Sequence, residues 1–413
     1  MNKIEKLIIK TYKAAADLRN TKETQIVKAL KALWREVNEN TEGLLKANSR
    51  DIEKGDPNDP KKDRLLLNAQ RIKSIASSIR QISKLPDPSG KVLEKRVLYN
   101  GLRLEKLSVP LGVAGVIYES RPNVTFDIAA LCLRSRNGCV LKGSIEAENT
   151  NKEAIRIIKK VLKDHAINPD CVTLLPSVRE TVEEMFRATR YIDVLIPRGS
   201  DQLIQFVRKN SLVPVIETGA GVCHIYVEKE AALNKARDIV VNAKVSRPSV
   251  CNAVDTVLVD ESIAPVFLKE LQPFLEQYKV EIFADARAHK LLKGYAFLQK
   301  ATAEDFGREF LSLKCAIKVV KDIDEALLHI QKYSTRHSEA IISENKKQCS
   351  RFIQQVDAAA VYTNASTRFT DGEEFGLGAE IGISTQKLHA RGPFALEKLV
   401  TEKWIIKGNG QVR

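Results

Sequence analysis

One cysteine of this sequence lies where covalent chemistry is feasible. Cys251 is part of RPSVCN (residues 247–252), a polar connection between a helical stretch and an apolar strand. A positive charge at Arg247 would lower the pKa of the thiol, and Asn252 or backbone amides could hold an oxyanion. Such a group suits a thiolate that attacks a carbonyl carbon. An inert loop cysteine accounts for the same residues, so both interpretations stay open.

The other thiols and the histidines do not form a metal-site pattern. Five cysteines lie within or beside apolar runs, where a thiol is most often a small buried hydrophobe: Cys132, Cys139, Cys171, Cys223 and Cys315. The sequence contains no Cys-x-x-Cys. Cys223 and His224 are adjacent, so in a strand they would point to opposite faces. We expect no metal site.

Three predicted strands end in residues that suit charged ligands. Glu217 ends the run VPVIE, Lys142 ends GCVLK, and RGSD (residues 198–201) separates the strand YIDVLIP from a helix. Open α/β sheets place ligands at such ends, and amides at a helix N-terminus can hold a phosphate. A capping glutamate, a solvated lysine and an ordinary N-cap at Ser200 fit equally well. An orthodox dinucleotide fingerprint is absent, the nearest match being Gly219–Ala220–Gly221.

The elements that must position these residues follow from hydrophobic periodicity. Apolar residues at helical spacing predict helices through the first 85 residues. Residues 92–108 predict a β-hairpin in which Asn100–Gly101 form a two-residue turn. An isolated hairpin is marginal in water, so we expect this one to pack on another subunit or domain.

Two series of apolar strands alternate with helices in the rest of the chain. Residues 109–228 contain VPLGVAGVIY, NGCVLKG, CVTLLP, YIDVLIP, VPVIET and VCHIYVE; later residues contain AVDTVLVD, VEIFADA, AIKVVKD, EAIIS and AAAVYTN. This alternation predicts two doubly wound α/β domains with parallel sheets. The glycine-rich, polar stretch from Arg368 to Pro393 is typical of a binding loop.

Composition and charge narrow the class of protein. The chain has 413 residues, 44% of them hydrophobic and 29% charged, which is typical of a globular protein of two or three domains. It lacks a long uncharged apolar run and a signal-peptide pattern, and its seven cysteines suit a reducing compartment, so we expect a cytoplasmic protein without a membrane partner. The net charge of +14 is dispersed and forms no basic arm. We therefore expect no nucleic-acid partner, whereas a small phosphorylated ligand would suit this charge.

Four segments carry a resemblance to a known family. PLGVAGVIYESRPNVT (110–125), VIETGAGVCHIYV (215–227), RPSVCNA (247–253) and GAEIGISTQKLHARGP (378–393) resemble the gamma-glutamyl phosphate reductases of the aldehyde dehydrogenase superfamily. The resemblance covers essentially the whole chain in order. It implies an aldehyde-dehydrogenase-like fold with a Rossmann-like cofactor domain (1–91 and 109–224), a catalytic domain (225–390) and oligomerisation elements (92–108 and 391–413).

The resemblance also implies a reaction. L-Glutamyl 5-phosphate would be reduced with NADPH to L-glutamate 5-semialdehyde, with release of phosphate, in proline biosynthesis. The alternative is a hydrolytic NAD(P)-dependent aldehyde dehydrogenase, in which Glu217 activates water. The implied partners are a small acyl phosphate, further copies of the chain, and glutamate 5-kinase.

Residue roles carry over by position. Cys251 matches the nucleophile and Glu217 the glutamate that faces it, while Asn123 is a candidate oxyanion donor. The cofactor residues would be Lys142 at the adenosine ribose, Gly199 and Ser200 near the phosphates, and Glu309 at the nicotinamide ribose. The third position after Lys142 holds no acid, which favours NADPH over NADH. Candidates for gripping the substrate carboxylate or phosphate are Ser120, Arg121, Asn364 and Arg391.

Overall fold

The computed structural model describes residues 2–54, 62–119 and 121–413. The chain forms two compact units. Unit 1 comprises Met1–Thr218, Gly376–Gly382 and Pro393–Arg413, and unit 2 comprises Gly219–Phe375 and Ile383–Gly392.

Unit 1 begins with the predicted helices. They are α1 (Lys3–Arg19), α2 (Glu23–Glu39), α3 (Thr41–Lys54), α4 (Lys62–Leu65) and α5 (Ala69–Ile82). Asn2 caps α1, since its side-chain oxygen accepts a hydrogen bond from the Glu5 amide. The apolar side chains at helical spacing are buried, as Ile8 and Leu33 illustrate. In the described part of the first 85 residues, the periodicity therefore predicted helices correctly.

The predicted hairpin is present, but its turn differs from the prediction. β1 (Val92–Val97) and β2 (Arg103–Pro110) pair antiparallel. The Leu98 amide donates to the Leu102 carbonyl at 2.8 Å and the Gly101 amide donates to the Leu98 carbonyl at 2.9 Å. Three residues thus form the loop, and of these only Gly101 has a positive φ, +85°. The two-residue turn was wrong because a single glycine in the left-handed region closes the longer, bulged loop.

A four-stranded parallel sheet follows in unit 1. Its elements are β3 (Val113–Tyr118), α6 (Asn123–Arg134), β4 (Gly138–Lys142), α7 (Glu148–Asp164), β5 (Val172–Leu174), α8 (Arg179–Arg187), β6 (Val194–Arg198) and α9 (Asp201–Asn210). The strand order is β5-β4-β3-β6. Progress along the sheet reverses between β3 and β6, and ligands of open α/β sheets bind beside the carboxyl ends of strands at such a reversal.

Unit 2 is built on a seven-stranded parallel sheet. Its elements are β7 (Cys223–Val227), α10 (Leu233–Val245), β8 (Val254–Asp260), α11 (Ala264–Gln277), β9 (Glu281–Ala284), α12 (Ala286–Leu291), β10 (Leu298–Lys300), β11 (Lys314–Val320), α13 (Ile323–Tyr333), β12 (Ser338–Ile342), α14 (Lys346–Gln355) and β13 (Ala360–Thr363). The strand order is β10-β9-β11-β8-β7-β12-β13. Buried Ile225, Val257, Phe267 and Ile317 belong to its core. The prediction of α/β organisation with parallel sheets is confirmed.

Two strand assignments of the first series need correction. VCHIYVE forms β7, which pairs with β8 and β12 and so belongs to the sheet of unit 2. VPVIET does not form a strand and makes isolated bridges instead, one of them between Val215 and Leu195. Pro214 lacks an amide hydrogen, so this segment cannot continue a regular ladder.

Three strands complete the chain: β14 (Glu380–Ser384), β15 (Gly392–Ala395) and β16 (Val400–Lys407). β16 pairs antiparallel with β2, so β1, β2 and β16 form a three-stranded sheet of unit 1.

Candidate active site

The carboxyl edge of the four-stranded sheet gathers the predicted cofactor residues of unit 1. Lys142 ends β4, Glu119 follows β3, and Gly199 and Ser200 follow β6. Glu119 and Ser200 thus lie at the reversal between β3 and β6. The Glu119 amide donates to the Arg198 carbonyl at 3.0 Å, which holds the two strand ends together.

Glu119 occupies the N-terminus of α9. Its Oε2 accepts a hydrogen bond from the Ser200 amide at 2.9 Å, and its Oε1 accepts one from the Ser200 hydroxyl at 3.0 Å. Ser200 also caps the helix, since its hydroxyl oxygen accepts from the Leu203 amide. A Cβ on Gly199 would lie 2.6 Å from Glu119 Oε2, so only glycine permits this approach. The Glu119 carboxylate therefore accepts a hydrogen bond from the Ser200 amide, which could otherwise donate to a bound phosphate.

Lys142 is half-buried near the same carboxylate. Burial lowers the pKa of its ammonium group, while the charges of Glu146 and Glu119 oppose that shift. The next residue packs tightly, because a Cβ on Gly143 would lie 2.3 Å from Asn151 Nδ2. The backbone that carries Lys142 is thus fixed by packing, and the Glu119 carboxylate is close enough to interact electrostatically with its ammonium group.

The Cys251 loop of unit 2 packs against a glycine. A Cβ on Gly221 would lie 1.7 Å from the Cys251 carbonyl oxygen and 3.2 Å from its Cα. The same carbonyl accepts a hydrogen bond from the Cys223 thiol at 3.2 Å. These two contacts fix the backbone that carries the Cys251 side chain.

Glu309 meets the same glycine from another segment. Its Oε1 accepts a hydrogen bond from the Gly221 amide at 2.9 Å. The adjacent Phe310 amide donates to Asp255, which forms a fully buried ion pair with Lys244. Burial raises the pKa of Asp255 to about 6, an effect that Lys244 opposes. Cys251 and Glu309, which lie far apart in sequence, are thus brought together around Gly221.

Cys251 is one of two cysteines that are not buried. The other is Cys349 on α14, and the remaining five are buried. Burial raises the pKa of the Cys315 thiol to about 11 and that of Cys171 to about 12, and it also raises the pKa of Cys349. Thiolate chemistry at these other sites is therefore disfavoured.

Other predicted residues of unit 1 have local partners. Glu217 Oε1 lies 3.3 Å from Nε of Arg208. Asn123 begins α6, and its Nδ2 donates to Asp127 at 3.0 Å. Arg121 precedes that helix, where its carbonyl accepts from the Val124 amide. Ser120 lies outside the described residues.

Asn364 and Arg391 lie at different edges of the seven-stranded sheet. Asn364 follows β13 at the carboxyl edge. Its side-chain oxygen accepts a hydrogen bond from the Ser343 backbone amide, and its side-chain nitrogen donates to the Ser343 carbonyl. Cys251 precedes β8 and is therefore at the amino edge, so the structure does not bring Asn364 to it. Arg391 Nη1 donates at 2.7 Å to Asp357, which precedes β13 at the amino edge. Within the described part of the chain, the buried Nε and Nη2 of Arg391 have no hydrogen-bond partner.

Arg368 is a residue that the sequence reasoning did not select. Its Nη1 donates to Asn252 Oδ1, and its Nε donates to the Ser246 hydroxyl at 3.2 Å. Burial, followed by repulsion from Arg247, lowers the pKa of this guanidinium, while Asp371, Cys251 and Glu374 act in the opposite direction. Its place at the start of the glycine-rich stretch was the only sequence signal.

Among the described residues, no three or more His, Cys, Asp or Glu side chains group in a way that could hold a metal ion. His224 instead pairs with buried Glu339 at 3.0 Å. No helix of the described ranges is both long and apolar enough to cross a membrane.

The residues of unit 1 fit a dinucleotide cofactor. A reversal point, a capped helix N-terminus and a lysine at an adjacent strand end are what a diphosphate and a ribose require. The close approach of the backbone at Gly199, where a Cβ would collide with Glu119, is typical of such a cradle. Among the described residues, the Glu119 carboxylate opposes an anion at the Ser200 amide.

The chain is similar to proteins of known sequence and structure. The model of the aldehyde dehydrogenase family matches residues 1–288. A gamma-glutamyl phosphate reductase of Pelodictyon phaeoclathratiforme is 51% identical over 413 residues, 99% of each chain, and one of Bacteroides thetaiotaomicron is 50% identical over 376 residues, 90% of each. The crystal structure of the gamma-glutamyl phosphate reductase of Thermotoga maritima superposes with a TM-score of 0.94 at 42% identity, covering 100% of both chains. The expected aldehyde-dehydrogenase-like fold is thus confirmed.

Proposed function

Because this chain belongs to the aldehyde dehydrogenase family and, within it, to the gamma-glutamyl phosphate reductases, we propose that it reduces L-glutamyl 5-phosphate to L-glutamate 5-semialdehyde and releases phosphate. This reaction is a step of proline biosynthesis. The proposal is carried by the near-complete overlap with relatives of that name. Cys251, one of two cysteines that are not buried, supplies the nucleophile that the reaction needs.

The chemistry starts at the Cys251 sulfur. The thiolate attacks the acyl carbon, the bond from that carbon to the phosphate oxygen breaks, and a thioester remains on Cys251. The departing phosphate keeps the bonding electron pair and takes one proton from water. Addition of a hydride to the thioester carbon then gives the aldehyde and restores the thiolate. Gly221 and Cys223 hold the Cys251 backbone during both steps.

NADPH, when bound, supplies that hydride. Lys142, Gly199 and Ser200 are the residues we assign to its adenosine ribose and phosphates. We assign Glu309 to the nicotinamide ribose. Asn123 remains our candidate oxyanion donor, Glu217 our candidate for the glutamate that faces the nucleophile, and Arg121 and Ser120 further candidates for substrate contacts.

Arg391 suits the α-carboxylate of the substrate. Its Nη1 is held by Asp357, which leaves Nε and Nη2 without a partner among the described residues. These two nitrogens form one edge of the guanidinium and can donate in parallel to both oxygens of a carboxylate. The observation favours Arg391 over Asn364, whose amide is engaged by Ser343.

The reverse reaction tests the proposed function. Purified protein is mixed with glutamate semialdehyde and NADP, with and without phosphate, and reduced cofactor is followed by absorbance. We expect reduction only when phosphate is present, because phosphate must cleave the thioester. Reduction without phosphate would identify a hydrolytic aldehyde dehydrogenase instead. The Cys251→Ala protein serves as the blank.

Glu119→Gln is expected to strengthen NADPH binding. The change removes a negative charge that lies on the Ser200 amide, while glutamine can still accept that hydrogen bond. Loss of repulsion worth about 1 kcal/mol would lower the Kd for NADPH about fivefold. Fluorescence titration with NADPH measures the Kd. Glu146→Gln is the matched control, since the Glu146 charge also affects the pKa of Lys142 but, among the described residues, Glu146 does not bond to Ser200. An unchanged or raised Kd would show that Glu119 does not oppose the cofactor.

We also propose that the three-stranded sheet mediates assembly of identical chains. The sheet exposes large apolar side chains, among them Val97 (68% exposed) and Ile406 (55%), and Tyr99 in its hairpin loop is 100% exposed. Such a surface is unusual for a sheet that faces only water. Covering it with a second copy would bury these side chains.

Ile406→Glu is expected to weaken that assembly. A charge on β16 would have to be desolvated in the interface. Analytical ultracentrifugation should show oligomers for the unmodified protein and a shift toward monomer for the variant. Val412→Glu is the control, because Val412 is exposed beyond the end of β16. A monomeric unmodified protein would contradict the proposal.

A cytoplasmic location and association with glutamate 5-kinase complete the proposal. An acyl phosphate hydrolyses in water, so direct transfer from the kinase would protect it. Co-sedimentation of the two purified proteins is the test, and separate boundaries at working concentrations would count against association.

A further inference from the structure

The turn that carries Arg368 is tied to the residue after the nucleophile. The Thr367 hydroxyl donates to the Asn252 carbonyl at 2.7 Å, and Asn252 Nδ2 donates to the carbonyls of Arg368 and Thr370 at 3.2 and 3.0 Å. Thr370 is held in turn by the hydroxyls of Ser338 and Tyr362, each at 2.7 Å. The backbone of residues 367–370 is therefore fixed relative to the Cys251 loop.

The Arg368 guanidinium also contacts the Cys251 loop. It donates to Asn252 Oδ1 and to the hydroxyl of Ser246, the residue that follows α10. Within the described ranges, its Nη2 makes no hydrogen bond. Two of its three nitrogens are thus used to orient the group, and one remains available.

The charges at this place favour an anion. Arg368 interacts electrostatically with both Arg247 and Cys251. Burying a guanidinium next to a second arginine is unfavourable unless a negative group offsets the repulsion. Asp371 and Glu374 supply part of that charge from the same stretch. The Cys251 thiolate and a bound phosphate would supply the rest.

We propose that Arg368, assisted by Arg247, binds the phosphate group of the acyl phosphate while Cys251 displaces it. The inference rests on the proposed function and deepens it by naming the residue that recognises the leaving group. In this step the sulfur–carbon bond forms as the carbon–oxygen bond breaks. The electron pair goes to the phosphate oxygen, where a guanidinium stabilises the developing charge. No oxidation occurs in the step.

The reverse reaction separates phosphate recognition from other roles. Arg368→Met is expected to raise the KM for inorganic phosphate about 10- to 100-fold, the usual range for losing a hydrogen bond to a charged group. The KM for glutamate semialdehyde should stay within about twofold. Arg351→Met on α14 removes the same charge from a surface ion pair with Asp324 and should leave the KM for phosphate unchanged.

A binding measurement without turnover completes the test. In a Cys349→Ser background, iodoacetamide alkylates Cys251, and inorganic phosphate should slow that alkylation. Arg368→Met should abolish the protection. A lower kcat with unchanged KM for phosphate and intact protection would show that Arg368 only braces the loop, and would overturn the inference.

Arg368→Lys covers the case in which the methionine variant does not fold. Lysine keeps the charge but cannot reproduce the hydrogen bonds of the planar guanidinium, so its KM for phosphate should also rise. A KM equal to that of the unmodified protein would overturn the inference. If the unmodified protein shows no phosphate-dependent turnover, the proposed function fails, while protection of Cys251 by phosphate still reports on Arg368.

Discussion

Cys251→Ser should abolish reduction of the acyl phosphate, with a loss of at least about 10³-fold in kcat. A serine hydroxyl is not ionised near neutral pH, so it cannot replace the thiolate in the attack on the acyl carbon, and no thioester can form. Binding of NADPH should be nearly unchanged, because the residues assigned to its phosphates belong to unit 1 and Cys251 to unit 2. Steady-state kinetics and a fluorescence titration with NADPH measure the two quantities.

Cys349→Ser is the matched control for this change. Cys349 is the second cysteine that is not buried, and its thiol donates to the Ser343 carbonyl at 3.4 Å. Because Ser343 follows β12 at the carboxyl edge of the sheet, Cys349 lies away from the Cys251 loop. Its variant should retain full activity and remain sensitive to alkylation. Turnover by Cys251→Ser would remove the thioester from the mechanism.

Gly221→Ala should cost about 10²-fold in kcat/KM. The added methyl group would lie 1.7 Å from the Cys251 carbonyl oxygen, so the loop with the nucleophile must move. A displacement of about 1 Å at reacting atoms is enough for a loss of this size. The movement also strains the bonds from Gly221 to Glu309 and from Cys223 to Cys251. We expect the free energy of unfolding to fall by about 1–3 kcal/mol, as in other overpacked sites.

Gly219→Ala isolates the effect of that contact. It adds the same methyl group two residues away, where the nearest neighbour is the Thr385 hydroxyl at 3.2 Å. A side-chain hydroxyl can shift by a few tenths of an ångström, so activity and the urea unfolding curve should change little. Equal losses in the two variants would show that this loop does not tolerate any added methyl group, and that contact with Cys251 is not the cause.

Local patterns in the sequence predicted the helices and most strands because their causes are local. The apolar face of α2 and the buried strand β8 each follow from the order of neighbouring side chains. Strand order has no such local signal. VCHIYVE was therefore placed in the first series, although it forms β7 in the sheet of unit 2. The hairpin turn depended on which residue took a positive φ, and Asn100–Gly101 is compatible with more than one loop length.

The sequence could identify a site residue whose role depends on its own chemical type. It could not identify a residue whose role depends on a contact with a segment far away in the sequence. Cys251 stands out in sequence because it lies in a polar connection. Glu119 gains importance only because β3 and β6 are neighbours, which brings it to the Ser200 amide. Gly221 and Arg368 matter through contacts with the Cys251 loop from segments far along the chain.

The pairing of β16 with β2 sets the order in which the protein can be completed during synthesis. β16 aligns Val400 with Pro110 and Lys407 with Arg103, so unit 1 needs a strand that follows unit 2 in the sequence. A growing chain exposes β2 throughout translation of unit 2, with one edge lacking its final partner. Unpaired edges invite association with other nascent chains, and charged side chains counter it. In the folded protein Lys95 pairs with Glu105, and Lys106 pairs with Glu94, so β1 and β2 carry charges of their own that do not depend on β16.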